Sequence, residues 1–322
     1  MAAELRFRAM GSDAHLIVAG GAGHLIDDAR ARIDQLERSW SRFLEDSEIN
    51  GLNRHAGQFV EVSSDTVTLV ERAVAAWDLS AGAFDPTLLG AVIRAGYDRS
   101  FDQLGPTPDR GHSVLDAGAG DIMIDGSAVR LPPGTGFDPG GIGKGLAADL
   151  VCSELMAEGA AGACVNVGGD VRVVGVGPTG GAWTVAVEHP WRSEPVALVG
   201  LADGAVATST TLRRRWSSDG ETRHHLIDPH TGMPSGTDVN LAAVVTAETW
   251  LAEVLAKAVL LAGATHCFDI LGGTGAHGLA VDDHGHVHTS DGLARYLGGA
   301  APPATLSPPR RQAQAMGGKE DR

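Results

Sequence analysis

Four strand-like runs follow one another between Ala163 and Leu201, and the gaps between them are too short to hold a crossover helix. The runs are Ala163 to Val167, Val171 to Val176, Trp183 to Glu188 and Val196 to Leu201. Parallel neighbours need a connection of about a dozen residues or more, usually a helix. These strands must therefore pair antiparallel. Helical patterning does occur elsewhere, but it does not alternate regularly with the strands. The expected fold class is α+β, with mixed, largely antiparallel sheets and packed helices, and not a doubly wound parallel sheet.

Around this block the pattern is readable segment by segment. Asp13 to Ala19 reads as a strand ending at Gly20-Gly21. His24 to Trp40 reads as an amphipathic helix, because Leu25, Ala29, Ile33, Leu36 and Trp40 recur at helical spacing. Ser47 to Asn50 reads as a polar loop. A second helix starts after Ser63-Ser64-Asp65, residues that cap helix N-termini well. The Gly/Asp/Pro-rich stretch from Gly82 to Gly111 reads as mostly loop and turn. Further helices are expected over Gly143 to Met156 and Thr249 to Ala262, and further strands over Arg223 to Ile227 and Val239 to Val245. One domain, with room for two subdomains, is expected over 1–297, and a disordered Pro/Ala/Gly/Arg-rich tail over 298–322.

Composition narrows the partners. The 322 residues are 43 % hydrophobic, enough for a sizeable core, and carry a formal charge of -15. So acidic a surface repels nucleic-acid phosphates and anionic lipid heads. A local pocket can still be positive and accept a phosphorylated small molecule. The segment Met1 to Arg8 lacks the apolar core of a secretory signal, and no apolar run is long enough to span a bilayer. Cys152, Cys164 and Cys267 form no C-x-x-C pair, so buried thiols in the reducing cytoplasm are the expectation.

Three glycine-containing segments stand out. Phe137-Asp138-Pro139-Gly140-Gly141-Ile142-Gly143-Lys144-Gly145 runs into an apolar helix. Such a junction exposes backbone N–H groups, and the helix end and Lys144 add positive charge, so it suits an anion. A tight turn explains it nearly as well, and the spacing matches neither a Walker A loop nor a Rossmann loop. Asn166-Val167-Gly168-Gly169-Asp170 reads as a hairpin turn, and Gly82-Ala83-Phe84-Asp85-Pro86-Thr87 as a turn presenting an aromatic and a carboxylate. In Arg223-His224-His225-Leu226-Ile227-Asp228-Pro229, adjacent histidines on a strand face opposite ways, so one can face a pocket as a general base. His284, His286 and His288 would share a face of a late strand; an exposed polar strand accounts for them, and no role is given them.

Taken in order, these segments resemble the ApbE-type FAD:protein FMN transferase family. Ala9-Met10-Gly11-Ser12, Trp40-Ser41-Arg42-Phe43, Ser47-Glu48-Ile49-Asn50-Gly51-Leu52-Asn53 and Ala207-Thr208-Ser209 extend the likeness, which spans roughly residues 5 to 298. The resemblance implies a T-fold-like α+β architecture with FAD in a cleft between loops. It implies transfer of FMN from FAD, as substrate, to a Ser or Thr hydroxyl of an acceptor flavoprotein, with AMP released. Carried over by position, Met10, Phe84 and Asp85 would contact the flavin and ribityl region, with Leu226 also at the cofactor. Asp138 and Lys144 would hold the diphosphate and adenosine side, and His225 would be the base.

The resemblance also implies a magnesium site, at Gly143, Glu253 and Lys257, and here the chain departs from the family. The family's Asp-x-x-x-Thr on a helix reads Glu253-Val254-Leu255-Ala256-Lys257. Either Glu253 and Lys257 simply pair as i,i+4 neighbours, or Lys257 supplies a fixed charge in place of the metal. Thr210 stands where the family often has Gly, and Arg213-Arg214-Arg215 follows, as a solvated basic face or as a contact to phosphate or partner. The absence of a lipoprotein signal points to a cytoplasmic member. Two other outcomes use the same pocket: an FAD pyrophosphatase giving FMN and AMP, and a non-catalytic FAD-binding protein.

Overall fold

The computed structural model describes residues 2–104, 118–218 and 221–298. Part of the Gly82–Gly111 stretch and the 298–322 tail beyond residue 298 lie outside the described residues. Eight strands form one sheet: β1 (Ala2–Ala9), β2 (Ser12–Ala19), β3 (Gly162–Val167), β4 (Asp170–Gly175), β5 (Gly204–Thr210), β6 (Val239–Thr246), β7 (His277–Asp282) and β8 (Val287–Thr289). Their order across the sheet is their order along the chain, and every neighbouring pair is antiparallel. The sheet is therefore a meander, and everything else is inserted between its strands. The α+β, antiparallel expectation holds.

The largest insertion, between β2 and β3, carries α1 (Leu25–Trp40), α2 (Glu48–Arg54), α3 (Ser64–Leu79), α4 (Leu89–Arg94) and α5 (Gly143–Ala157). Between β6 and β7 come α6 (Thr249–Leu261) and the short α7 (Gly263–His266). Ser63 caps α3 as expected. Three expectations need correction. Ser47 to Asn50 is no loop: Ser47 accepts from the Asn50 N–H and starts α2. The loop read from Gly82 onward contains α4. The strand expected over Arg223 to Ile227 is broken, with Glu221–His224 and Ile227–Asp228 in separate hairpins.

Alternation along the strands builds two cores. Ala163, Val165 and Val167 face α1 and α5, whereas Cys164, Val171 and Val173 face the hairpin formed by Trp183–Val187 and Ala197–Leu201. The five residues of α1 expected inward from their spacing, Leu25, Ala29, Ile33, Leu36 and Trp40, are all buried in the first core. Arg32 ties three helices together: it holds Asp65 through both terminal nitrogens, at 2.6 and 2.8 Å, and Glu154 through Nε at 2.9 Å.

The register of α5 against α6 matters most for the site. A Cβ on Gly145 would lie 2.6 Å from the Thr249 carbonyl oxygen and 2.8 Å from the Trp250 nitrogen, so only glycine lets these backbones approach. Asp149, one turn further along α5, accepts from the Thr249 and Trp250 N–H groups at 2.8 and 2.9 Å. It caps α6 from the neighbouring helix. Burial raises its carboxyl pKa to about 6 in spite of those bonds.

Candidate active site

A cavity of about 620 Å³ opens where the insertion loops meet the hairpin tips of the sheet. That is within the range of small-molecule sites. Met10, Phe84, Asp85, Asp138, Lys144, His225 and Leu226 all line it, as do Gly143 and Lys257. Glu253 lies behind the wall, fully buried. The sequence-expected residues are thus brought together although they come from five separate segments.

Local structure places each of them. Ala9 pairs with Ser12, leaving Met10 and Gly11 as a two-residue turn with φ of 49° and 65°. Positive φ at both positions is the hairpin geometry that matches strand twist, and Met10 bears it without being glycine. Phe84 is buried against Gly141, where a Cβ would come within 2.6 Å of the ring. Asp85 accepts from the Thr87 N–H at 2.8 Å and its hydroxyl at 2.6 Å, which fixes the turn and aims the second carboxylate oxygen elsewhere. Asp138 accepts from the Gly140 N–H at 2.9 Å and meets Arg42 Nε at 3.4 Å. The guanidinium of Arg42 lies over both Phe43 and Tyr97, with ring centroids at 4.2 and 4.5 Å.

The floor is a buried charge cluster. Glu253 Oε1 accepts from Lys144 Nζ at 2.5 Å and from Lys257 Nζ at 3.1 Å, while Oε2 accepts from the Gly145 N–H at 2.8 Å. Lys144 also donates to Asp170. Part of the helix N-terminus that the glycine-rich loop offered to an anion is therefore filled by the protein's own carboxylate. Burial works against every charge here. Lys144 is nevertheless held above its ordinary range by Asp170 and Glu253. Glu253 is held low by Lys144 and Lys257 against its own burial. Asp170 is pushed up by burial and by Glu253.

His224 and His225 diverge, as adjacent strand residues do. His224 Nε2 donates to the Ser235 carbonyl at 3.0 Å, and its Nδ1 accepts from the Leu226 N–H at 3.3 Å, so its tautomer is fixed. His225 turns to the cavity. Its Nδ1 is buried and has no hydrogen-bond partner among the described residues. Burial first, then the charges of Arg214, Lys257, His224 and Lys144, keep its pKa well below the usual imidazole range. The ring is a neutral base at physiological pH.

The metal expectation is not matched by a ligand set. No cluster of three or more His, Cys, Asp or Glu able to hold a metal exists among the described residues. Both oxygens of Glu253 are committed to donors, and the Lys257 ammonium sits beside them. A divalent ion would have to displace that ammonium, so these residues do not fit magnesium. Elsewhere, His286 Nδ1 and His288 Nε2 both lie 3.0 Å from Asp282 Oδ2, near the sheet edge and away from the cavity. Single-residue reading of the sequence overlooked Asp170, Arg42 and Tyr97 as site residues. Asp170 was signalled by its place after the double glycine, but its partner Lys144 is separated by a full helix and strand.

An aromatic wall, buried ammoniums and a neutral histidine around one cleft define a class: proteins that bind an aromatic, phosphorylated small molecule and move a proton beside it. A family model described as the ApbE family matches residues 10–280, and the chain belongs to that family. An FAD:protein FMN transferase of Treponema pallidum is 30 % identical over 261 residues, covering 74 % of this chain and 71 % of the relative. One of Vibrio cholerae is 27 % identical, covering 72 % of this chain and 71 % of the relative. Among solved structures, the ApbE protein of Thermotoga maritima superposes with a TM-score of 0.83 at 26 % identity, over 92 % of this chain and 99 % of that one. The flavin transferase ApbE of Vibrio cholerae shares the fold, with a TM-score of 0.79 at 24 % identity, covering 92 % and 99 %.

Proposed function

We infer that this chain is an FAD:protein FMN transferase. It moves FMN from FAD to a Ser or Thr hydroxyl of an acceptor flavoprotein and releases AMP. The observation that carries this reading is His225: a neutral imidazole with an unpartnered nitrogen, held in the wall of a cleft that also carries Phe84 and Lys144. Family membership and the similarly named relatives support it.

The chemistry asks mainly for positioning and charge neutralisation. Met10, Phe84, Asp85 and Leu226 form the wall against which the flavin and its ribityl chain lie. Asp138 and Lys144 lie toward the diphosphate and adenosine. His225 takes the proton of the acceptor hydroxyl as its oxygen attacks the phosphorus nearer the flavin. The new O–P bond forms, the anhydride P–O bond breaks, and AMP leaves with the electron pair. Lys257 stands at a family metal position as a fixed ammonium. The domain extends over 1–297, with the tail outside it. Three buried, unpaired cysteines favour a reducing compartment, the cytoplasm, and no helix among the described residues is long and apolar enough to cross a membrane.

The test is incubation with FAD and an acceptor domain bearing an Asp-x-x-(Ser/Thr)-x-Ala-Thr type motif, read by intact mass and by AMP formed. Equal amounts of acceptor adduct and AMP are expected. FMN and AMP free in solution would show a pyrophosphatase instead, and FAD bound but unconverted would show a carrier.

A further inference from the structure

Five cationic side chains line the cavity: Arg42, Arg99, Lys144, Arg214 and Lys257. Four of them are already neutralised. Arg42 pairs with Asp138, Arg99 with Asp98, Lys144 with Asp170 and Glu253, and Lys257 with Glu253. Arg214 differs. Among the described residues its hydrogen bonds go only to neutral oxygens, from Nη2 to Ser12 Oγ at 3.0 Å and to the Gly11 carbonyl at 3.4 Å. Its Nε and Nη1 donate to nothing there, so the N–H groups on these two nitrogens are open.

The lining as a whole is no positive basin, since it also carries Glu37, Asp85, Asp98, Asp102 and Asp138. In the floor, two ammoniums face two carboxylates. An entering diphosphate therefore meets uncompensated positive charge at Arg214 and at no other lining side chain among the described residues. The backbone is shaped for this placement. Arg214 has φ of 50°, a left-handed conformation uncommon for a residue other than glycine, and it is pinned to the turn that carries Met10, itself at 49°. Strain of this kind persists where surrounding structure holds a functional group in place.

We propose that Arg214 is a catalytic residue of the transfer, its guanidinium binding the diphosphate at the phosphorus that moves and carrying the charge that grows on its oxygens. This rests on the FMN-transfer reading. As the acceptor oxygen bonds to phosphorus and the bond to the AMP phosphate breaks, Arg214 stays protonated and exchanges no proton. His225 receives the hydroxyl proton, and AMP takes the electron pair. The planar guanidinium can stay bonded to Ser12 and Gly11 through Nη2 and still donate from Nε and Nη1 to phosphate oxygens, which an ammonium cannot do from one position. Its charge is also, after burial, the strongest influence keeping His225 neutral.

The variants are Arg214→Asn, which removes the charge but tolerates the left-handed backbone, and Arg214→Lys, which keeps a charge without the fork. Flavinylation of an acceptor domain is followed at saturating FAD across pH, with the unfolding midpoint measured alongside. Arg214→Asn is expected to lower kcat about 10²-fold, the effect of losing one charge-stabilising donor, with the midpoint unchanged. Arg214→Lys is expected to recover about tenfold of that loss. The acid limb of the pH profile should move to higher pH in Arg214→Asn, since the largest charge opposing protonation of His225 is then gone and the lesser ones of Lys257, His224 and Lys144 remain. A kcat within twofold of the native value in Arg214→Asn, or no recovery by lysine, overturns the proposal. If the native protein makes no adduct, the transfer reading has failed separately. Arg214 is then judged by flavin-fluorescence titration with FAD: tenfold weaker binding in Arg214→Asn keeps the diphosphate contact, and unchanged binding removes it.

Discussion

Lys257 Nζ lies 3.1 Å from Glu253 Oε1, one turn apart on α6, and the same oxygen takes a hydrogen bond from Lys144 of α5. With Oε1 shared between two ammoniums and Oε2 taken by the Gly145 N–H, a divalent cation would have to displace an ammonium to reach this carboxylate. Burial and Lys144 lower the pKa of Lys257, and Glu253 and Asp170 oppose them. An arriving diphosphate adds negative charge and favours the ammonium further.

Lys257→Ala should therefore lower transfer by tenfold or more, an ammonium–phosphate contact being worth about 1.5–3 kcal/mol. Added magnesium should not restore it. Steady-state flavinylation of an acceptor, with and without magnesium, checks this. Recovery by magnesium would mean that the ion belongs in the site after all.

Glu253→Gln leaves two buried ammoniums with one carboxylate, Asp170, which pairs with Lys144 alone. Breaking a buried ion pair from one side costs about 3–5 kcal/mol. Urea unfolding should show a loss of that order. A loss under about 1 kcal/mol would mean that water already compensates the cluster.

His225→Ala should keep FAD affinity and abolish transfer, and a parallel loss of both would make His225 a packing residue. The pH dependence follows from its lowered pKa. Activity that needs the neutral ring should stay level as pH falls through 6.5 and drop only well below it. The stability term has a definite sign as well. Between the two pKa values the unfolded chain binds more protons than the folded one, so this residue's contribution is full above the unfolded value and is lost as pH falls toward the folded one. Denaturation of native and His225→Ala protein at pH 7.5 and 5.5 would reveal it as a smaller pH dependence in the variant.

Gly145→Ala places a methyl against the Thr249 carbonyl and Trp250 nitrogen, which are backbone atoms that cannot rotate away. Overpacking of this kind costs about 1–3 kcal/mol. It should also reduce transfer, because the helices that hold Lys144 and Glu253 together are forced apart. A variant as stable and active as the native protein would show that α6 shifts freely.

What could be read in advance follows physical lines. The core face of α1 was legible because its five buried residues repeat at helical spacing. The antiparallel sheet was legible from gap lengths. Strand β5 was not, because Ala205 and Ala207 are small where Ala252 of α6 packs on them, and small residues give little hydrophobic signal. Strand β1 lies at the sheet edge with alternating exposure, and its Leu5 and Phe7 are only partly buried. The site's residue types were legible through the family motifs. Their electrostatics were not, since Lys144 and Glu253 are separated by 109 positions and meet only because Gly145 lets α5 touch α6. Arg214 read as part of a basic face, and only the pairing of its neighbours sets it apart.

The most direct test of the central claim is a single-turnover time course of the purified protein with FAD and an acceptor domain, in excess EDTA and in excess magnesium, followed by intact mass. FMN adduct should accumulate on the acceptor at the same rate, within about twofold, in both conditions, with one AMP per adduct. An adduct that forms only with magnesium would contradict the ammonium's role at position 257, and no adduct in either condition would contradict FMN transfer itself.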